Sequence, residues 1–255
     1  MSPPFRIESP NNPRFKSWEG LLESRGIRKQ GEFLLAGRKT VPEALDRHAG
    51  RFTAVLVTSE REIAGWPLPE DMTVYELTPR LFAELDPAGT RFPILLGSVP
   101  DMPAADLAAP PQGLELVLAL GDPANLGAVL RSAAAFGASR VILLQESVHP
   151  FHPKCLRAAA NAQFELELHT GPSFRELANA AGPIVALDAG GESLSTYKWP
   201  RDVRLVLGEE GQGVPADLTA TRLSVPTPGK VESLNATVAA SVAMYGYYSG
   251  HGGQA

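Results

Sequence analysis

Apolar residues along the chain fall into two kinds of pattern. In the second half, strand-length apolar runs at 114–120, 140–144, 184–187 and 203–207, with a weaker one at 223–225, alternate with other segments. In those segments, at 126–136, 154–162, 174–180 and 234–248, the apolar positions recur at helical spacing. Strands apolar on both faces, interleaved with helices, predict a parallel sheet covered on both sides. The first half mixes helical pattern at 15–24 and 40–48 with short runs at 33–35, 54–58, 73–77 and 94–99, which predicts a small α/β domain. Between the halves, VPDMPAADLAAPPQG at 99–113 holds four prolines and continues neither helix nor central strand, so it reads as a linker. The expected organisation is a domain at 1–99, a Pro-rich linker at 100–113 and a domain at 114–255.

Composition narrows the class. Of 255 residues, 44% are hydrophobic and 20% charged, ordinary for a globular protein with a core. No apolar run approaches the roughly 18–20 residues of a membrane span, and the first residues carry no apolar signal core, so a cytoplasmic protein is expected. A single cysteine, Cys155, excludes a disulfide framework, and five scattered histidines form no HExxH pair, so no metal is expected. The net charge of -5 argues against indiscriminate nucleic-acid binding, but it is unevenly spread. Residues 1–55 hold 10 Lys/Arg against 6 Asp/Glu, whereas 56–255 hold 13 against 22. The local excess at Arg14, Lys16, Arg25, Arg28, Lys29, Arg38 and Lys39 suits phosphates held at a chosen place; it equally suits a solvated helix face.

In parallel sheets ligands bind beyond the carboxyl ends of the strands, so the segments leaving those ends are where chemistry is sought. GxGxxG is absent, and Gly229-Lys230 is followed by Val231 rather than Ser or Thr, which counts against a nucleotide-binding oxidoreductase or a P-loop hydrolase. Three post-strand segments stand out. Asn125-Leu-Gly-Ala-Val-Leu-Arg131 opens an apolar helix with a candidate N-cap at Asn125 and an arginine that must find a partner, snorkel or reach a cleft. Leu207-Gly-Glu-Glu-Gly-Gln-Gly213 places three glycines after a buried strand, as a plain turn or as a backbone that a ligand can approach. Val225-Pro226, followed by Ser233-Leu234-Asn235, feeds a nearly all-apolar final helix that Ser233 or Asn235 can cap.

Taken together, in this order and spacing, the three segments resemble the motifs of the SpoU/TrmH-type RNA ribose 2′-O-methyltransferases of the SPOUT superfamily. N-x-G-x-x-x-R-[ST]-A is matched by Asn125, Gly127, Arg131, Ser132 and Ala133. G-x-E-G-x-G is matched by Gly208, Glu210, Gly211 and Gly213, and the I/V-P…S-L-N pattern by Val225, Pro226, Ser233, Leu234 and Asn235. NPRFK and FLLAGRKTV near the start look like the family's substrate-binding domain, itself similar to small ribosomal RNA-binding proteins. The chain departs from the family's usual residues at Ala36, Ala159, Asn161, Glu209 and Thr227.

The resemblance implies an α/β fold whose C-terminal parallel sheet carries a trefoil knot, preceded by a small α/β ribosomal-protein-like RNA-binding domain. It implies S-adenosylmethionine as cofactor, held by Leu207, Gly208, Gly213, Val225, Pro226 and Leu234. It implies methylation of a ribose 2′-hydroxyl in structured RNA, ribosomal RNA before transfer RNA, with Arg131, Asn125, Glu210, Ser233 and Asn235 at the reacting centre. RNA would meet Arg28, Lys29, Arg38 and Lys39. The apolar final helix implies a homodimer. The competing reading is a catalytically silent RNA-binding or assembly protein that keeps the fold.

Overall fold

The structure is a computed structural model, described for residues 3–208, 213–228 and 234–252. The chain packs as two compact units, Met1–Pro100 with His149–Asn161, and Asp101–Val148 with Ala162–Ala255.

The first unit holds a five-stranded sheet of β1 (Phe5–Ile7), β2 (Glu32–Leu35), β3 (Phe52–Val57), β4 (Thr73–Leu77) and β5 (Ile94–Ser98), in the order β1-β4-β3-β5-β2. β5 runs antiparallel to β2 and β3; the β3–β4 and β1–β4 pairs are parallel. The one helix expected at 15–24 is two, α1 (Pro13–Gly20) and α2 (Ser24–Gln30), because Leu21 turns inward to complete burial and Gly31 ends α2 in the left-handed region. α3 (Thr40–His48) is as expected, and α4 (Pro79–Leu85) starts at a Thr78 cap followed by proline.

Residues 149–161, expected in the second domain, belong to this first unit. Phe151 and Phe33 are both fully buried with ring centroids 4.9 Å apart, and the His149 N–H donates to Ser24 Oγ at 3.1 Å. The helix expected at 154–162 is α6 (Pro153–Ala159); it stops because Ala160 and Asn161 both take left-handed φ, 48° and 68°. A glycine suits position 161 for that reason, and asparagine is the side chain that tolerates it best. Here Asn161 is buried and its amide donates to the Thr40 carbonyl at 2.9 Å. With this segment the first unit holds 15 Lys/Arg against 13 Asp/Glu, leaving the second 8 against 15.

The second unit is a six-stranded, wholly parallel sheet: β6 (Leu114–Leu118), β7 (Arg140–Leu143), β8 (Leu168–Thr170), β9 (Ile184–Ser193), β10 (Val203–Leu207) and β11 (Thr221–Ser224), in the order β11-β9-β10-β6-β7-β8. The long helices are α5 (Pro123–Ala135) and α7 (Ala236–Gly250), which pack on each other. The helix expected at 174–180 is a 3-10 turn at Phe174–Asn179.

The stretch 101–113 is no free linker. Ala104 bridges to Thr170, Ala105 N–H donates to the Thr170 carbonyl at 2.8 Å, and Ala181 N–H to that of Leu107 at 2.9 Å. Its anchor is Arg204, 1% exposed on β10. Arg204 Nε donates to Glu115 Oε2 at 2.9 Å, and its Nη atoms donate to the carbonyls of Ala181 (2.6 Å), Ala109 (2.8 Å) and Leu107 (3.3 Å). A buried guanidinium is tolerable only with its donors satisfied, and the proline-rich strap supplies acceptors that have no strand partners. Among the described residues no helix is long and apolar enough to cross a membrane.

Candidate active site

Strand order reverses between β6 and its neighbours: the chain leaves β6 toward β7 on one side, while β10 lies on the other. The crevice at such a reversal is where parallel sheets take ligands. Its floor is fixed by backbone. Ala119 N–H donates to the Leu207 carbonyl at 3.1 Å; the buried Ser147 hydroxyl donates to Leu118 O at 2.7 Å and accepts from Leu120 N–H at 3.2 Å.

From this floor α5 rises, capped by Asp122 rather than by Asn125. Asp122 Oδ1 accepts from Asn125 N–H at 2.8 Å, with Pro123 in the first turn. Position 125 is thereby inside the helix, and its side chain faces α7. Thr237 Oγ1 donates to Asn125 Oδ1 at 3.1 Å, and Asn235 Nδ2 reaches the same oxygen at 3.5 Å. Asn235 also caps α7, its Oδ1 accepting from Thr237 N–H at 2.9 Å. One helical face further on, Ser132 and Ser241 share a hydrogen bond of 2.8 Å. The first and third motifs thus meet side chain to side chain at the mouth of the crevice.

Arg131 is placed differently from its neighbour. Six residues after Asn125 it lies about 240° round the helix. It is exposed, and its side chain has no hydrogen bond or ion pair among the described residues. An arginine that faces water needs no partner, so the burial cost expected from its apolar surroundings does not arise.

The second motif supplies bare backbone. Leu207 is buried at the end of β10, and a Cβ on Gly208 would overlap the carbonyl of Gly213, itself at φ 68°. Glycine at 208 is therefore demanded by the loop's own backbone. Val225 and Leu234 are half-buried and Pro226 is exposed. Glu210 and Ser233 lie outside the described residues, as does Glu209. Asp122 and Thr237 were missed in the sequence; the Asp-Pro start signal was legible there, whereas the Thr237 contact spans 112 residues.

On the first unit Arg28, Lys29, Arg38 and Lys39 are all exposed; Lys39 lies 3.7 Å from Glu43, and the Arg38 guanidinium sits 6.0 Å from the Phe92 ring centroid. Lys154 and Arg157 are exposed on the same unit. Nearby, His149 is held down to about 4 by burial and by the charges of Arg28 and His152. Among the described residues no cluster of His, Cys, Asp and Glu offers a metal site.

The profile of the SpoU rRNA methylase family matches residues 115–245, more than half of the chain. The chain belongs to that family. Among similar proteins, the 23S rRNA (guanosine(2553)-2′-O)-methyltransferase RlmP of Bacillus subtilis is 32% identical, over 94% of this chain and 98% of its own length. Ribosomal RNA small subunit methyltransferase G 2 of Syntrophobacter fumaroxidans is 40% identical over 95% of this chain, which spans about half (49%) of that protein. The AdoMet-bound rRNA methyltransferase of Sinorhizobium meliloti superposes with a TM-score of 0.76 at 24% identity, covering 96% of this chain and 97% of that one; it bears out the fold. The SpoU match also encloses residues 149–161, which pack with the first unit all the same.

Proposed function

We propose that the protein transfers a methyl group from S-adenosylmethionine to a ribose 2′-hydroxyl of ribosomal RNA, in the crevice beyond β6, β10 and β11. The observation that carries this reading is the meeting of Asn125 with Asn235 and Thr237, which joins the first motif to the third. Family membership and the naming of a full-length relative as a ribose 2′-O-methyltransferase of 23S rRNA support it.

The residues fit an adenosyl group. Leu207, Val225 and Leu234 offer apolar walls, Pro226 extends their rim, and Gly208 and Gly213 offer backbone that is ordered before binding, which lowers the entropic cost. When bound, S-adenosylmethionine supplies an electrophilic methyl and its own leaving group. The ribose oxygen bonds to the methyl carbon as the carbon–sulfur bond breaks, sulfur keeps that electron pair, and the hydroxyl proton departs. The chain's work is to position and polarise. Asn125 and Asn235 each carry a donor and an acceptor, which suits a hydroxyl; Glu210 and Ser233 complete the set. Arg131 grips the nucleotide's phosphate through the planar fork of its guanidinium.

RNA docks on the first unit through Arg28, Lys29, Arg38 and Lys39, joined by Lys154 and Arg157. The working form is a homodimer built on the outward face of α7, where Val238, Val242 and Tyr245 are 48%, 37% and 57% exposed. The second unit carries the trefoil knot that the family resemblance implies, and the enzyme works in the cytoplasm.

The test is methyl transfer from labelled S-adenosylmethionine to protein-free 16S and 23S rRNA, with the product mapped as a 2′-O-methyl ribose. Methylation of a base would refute it. Tight RNA binding with no cofactor binding by calorimetry would favour the silent assembly protein.

A further inference from the structure

One side chain outside all three motifs ties together the two segments that leave the carboxyl ends of β9 and β10. Arg222, on β11, is half-buried. Its Nη1 donates to Asp188 Oδ2 at 2.6 Å and to the Val214 carbonyl at 3.4 Å, and its Nη2 donates to the Pro215 carbonyl at 2.6 Å.

Each end of this clamp is a shaped loop. On one side β9 pairs with β11 in two halves: Val185 and Ala186 face Thr221 and Arg222, whereas Glu192 and Ser193 face Leu223 and Ser224. Residues 187–191 are looped out of the ladder at the carboxyl end of β9, a large bulge of the kind found beside functional sites. Asp188 sits in that bulge, its Oδ1 accepting from Gly190 N–H at 2.9 Å. That bond, with the Arg222 guanidinium second, holds the Asp188 carboxyl below the usual range, so it stays charged. Gly191 lies so close to β11 that a Cβ there would stand 2.6 Å from the Arg222 carbonyl oxygen, and Ser224 Oγ donates to the Gly191 carbonyl at 2.8 Å. On the other side Val214 follows Gly213, and it is the Gly213–Val214 backbone that leaves no room for a side chain on Gly208. A continuous line of contacts therefore runs from the β9 bulge through Asp188 and Arg222 to Val214, Gly213 and Gly208.

We infer that Arg222 is a positioning residue for the cofactor: with Asp188 it sets the spacing of the 187–191 bulge and the 213–215 segment, and thereby the affinity for S-adenosylmethionine. The inference rests on the proposed cofactor crevice. A planar guanidinium is needed because the three acceptors lie in different directions and two donors diverge at fixed angles; a lysine ammonium reaches one side or the other. Neither Arg222 nor Asp188 is placed to touch the reacting atoms, so the effect falls on binding rather than on the chemical step.

The experiment is calorimetric titration of the full-length protein with S-adenosylmethionine and, separately, with S-adenosylhomocysteine. Wild type is compared with Arg222→Met, Arg222→Lys and Asp188→Asn, and steady-state methyl transfer and thermal midpoints are recorded alongside. Losing charge-assisted bonds at one wall is expected to raise the Kd and KM for S-adenosylmethionine about tenfold in Arg222→Met. Arg222→Lys and Asp188→Asn should fall between it and wild type, with kcat at saturating cofactor within about threefold. A thermal midpoint that drops in the variants while Kd stays at the wild-type value would assign the clamp to stability alone and overturn the inference. So would affinity and kcat falling together. If Arg222→Met does not fold, Arg222→Lys and Asp188→Asn carry the same test. Wild type that binds neither cofactor form would instead sink the proposed function.

Discussion

Arg204 offers the sharpest test of the claim that 101–113 is a packed strap. Its guanidinium is 1% exposed, lies opposite Glu115 in the β10–β6 register, and serves three carbonyls, two of them in the strap. Arg204→Met keeps much of the volume but takes the guanidinium donor from the Ala181 and Ala109 carbonyls, while the Leu107 carbonyl keeps the Ala181 N–H. Glu115, also 1% exposed, keeps only Arg140 at 3.3 Å and the Gln112 N–H at 3.3 Å. Breaking one side of a buried pair costs about 3–5 kcal/mol. The residual partners of Glu115 trim that figure and the stranded carbonyls add to it, so about 4 kcal/mol is expected. At about 2–4 °C per kcal/mol for a unit of this size, the thermal midpoint should fall by roughly 10 °C. Hydrogen exchange gives the local readout. The amides of Ala105 and Ala181, bonded to Thr170 and Leu107, should lose protection well before those of β6. Glu115→Leu combined with Arg204→Met should recover most of the loss, since a well-packed apolar pair replaces a buried ion pair at little net cost. A single Arg204→Met variant losing less than about 1 kcal/mol, with Ala105 as protected as in wild type, would refute the strap.

Four further outcomes follow from the same geometry. His149 titrates at about 4 in the folded chain against 6.5 ordinarily; its neutral form is favoured on folding, so that stability is whole above pH 6.5 and is lost as the pH falls toward 4. The loss totals about 3 kcal/mol at 1.36 kcal/mol per unit, and His149→Asn should flatten the slope of the urea midpoint between pH 7 and 4. Arg131→Ala should abolish methyl transfer while cofactor affinity, by calorimetry, stays within about threefold, because Arg131 belongs to the first motif whereas the proposed cofactor walls come from the second and third. Val242→Glu places a charge on the outward face of α7 and should yield a folded monomer of 27.2 kDa by light scattering; an unchanged dimer would move the interface elsewhere. Charge reversal at Arg28, Lys29, Lys154 and Arg157 should weaken RNA binding and flatten its salt dependence, with cofactor affinity as the control that must not move.

The candidate site was largely legible because its residues follow directly from strand ends: a buried apolar run, then Asn125, Gly208 or Val225 within a few positions. The alternation that predicted a parallel sheet was strong for the same reason. What escaped was either too short or too distant to leave a period. β1 and β8 hold three residues each, and the latter includes His169 and Thr170, so neither shows a strand pattern. The division of the chain escaped because it rests on Phe151 meeting Phe33 across more than 100 residues, a contact no local window records.

Two signals were present and passed over, and they bear on how such chains are read. Glu115 and Arg204 interrupt runs that are otherwise apolar, LELVLAL and VRLVL, and a strand buried on both faces has no solvent side on which a charge can rest. One acid and one base in such runs already require each other, and the demand of the leftover guanidinium donors requires a polar backbone nearby that is not in the ladder. The only long proline-bearing stretch adjoining β6 meets that demand, because proline removes the ladder donors but leaves the carbonyls free to accept. The same residues that made 101–113 look like a tether are therefore the reason it serves as a strap. Conversely, His149–Asn161 contains no acid, and its two charged residues, Lys154 and Arg157, are exposed. Assigning it to the first unit turns an even balance of 13 bases and 13 acids over residues 1–100 into a basic one, and leaves the second at -7. That division puts the exposed cations of the proposed RNA-docking surface and the proposed methyl-transfer crevice on units of opposite charge balance, so a polyanion is attracted to the first unit by charge alone.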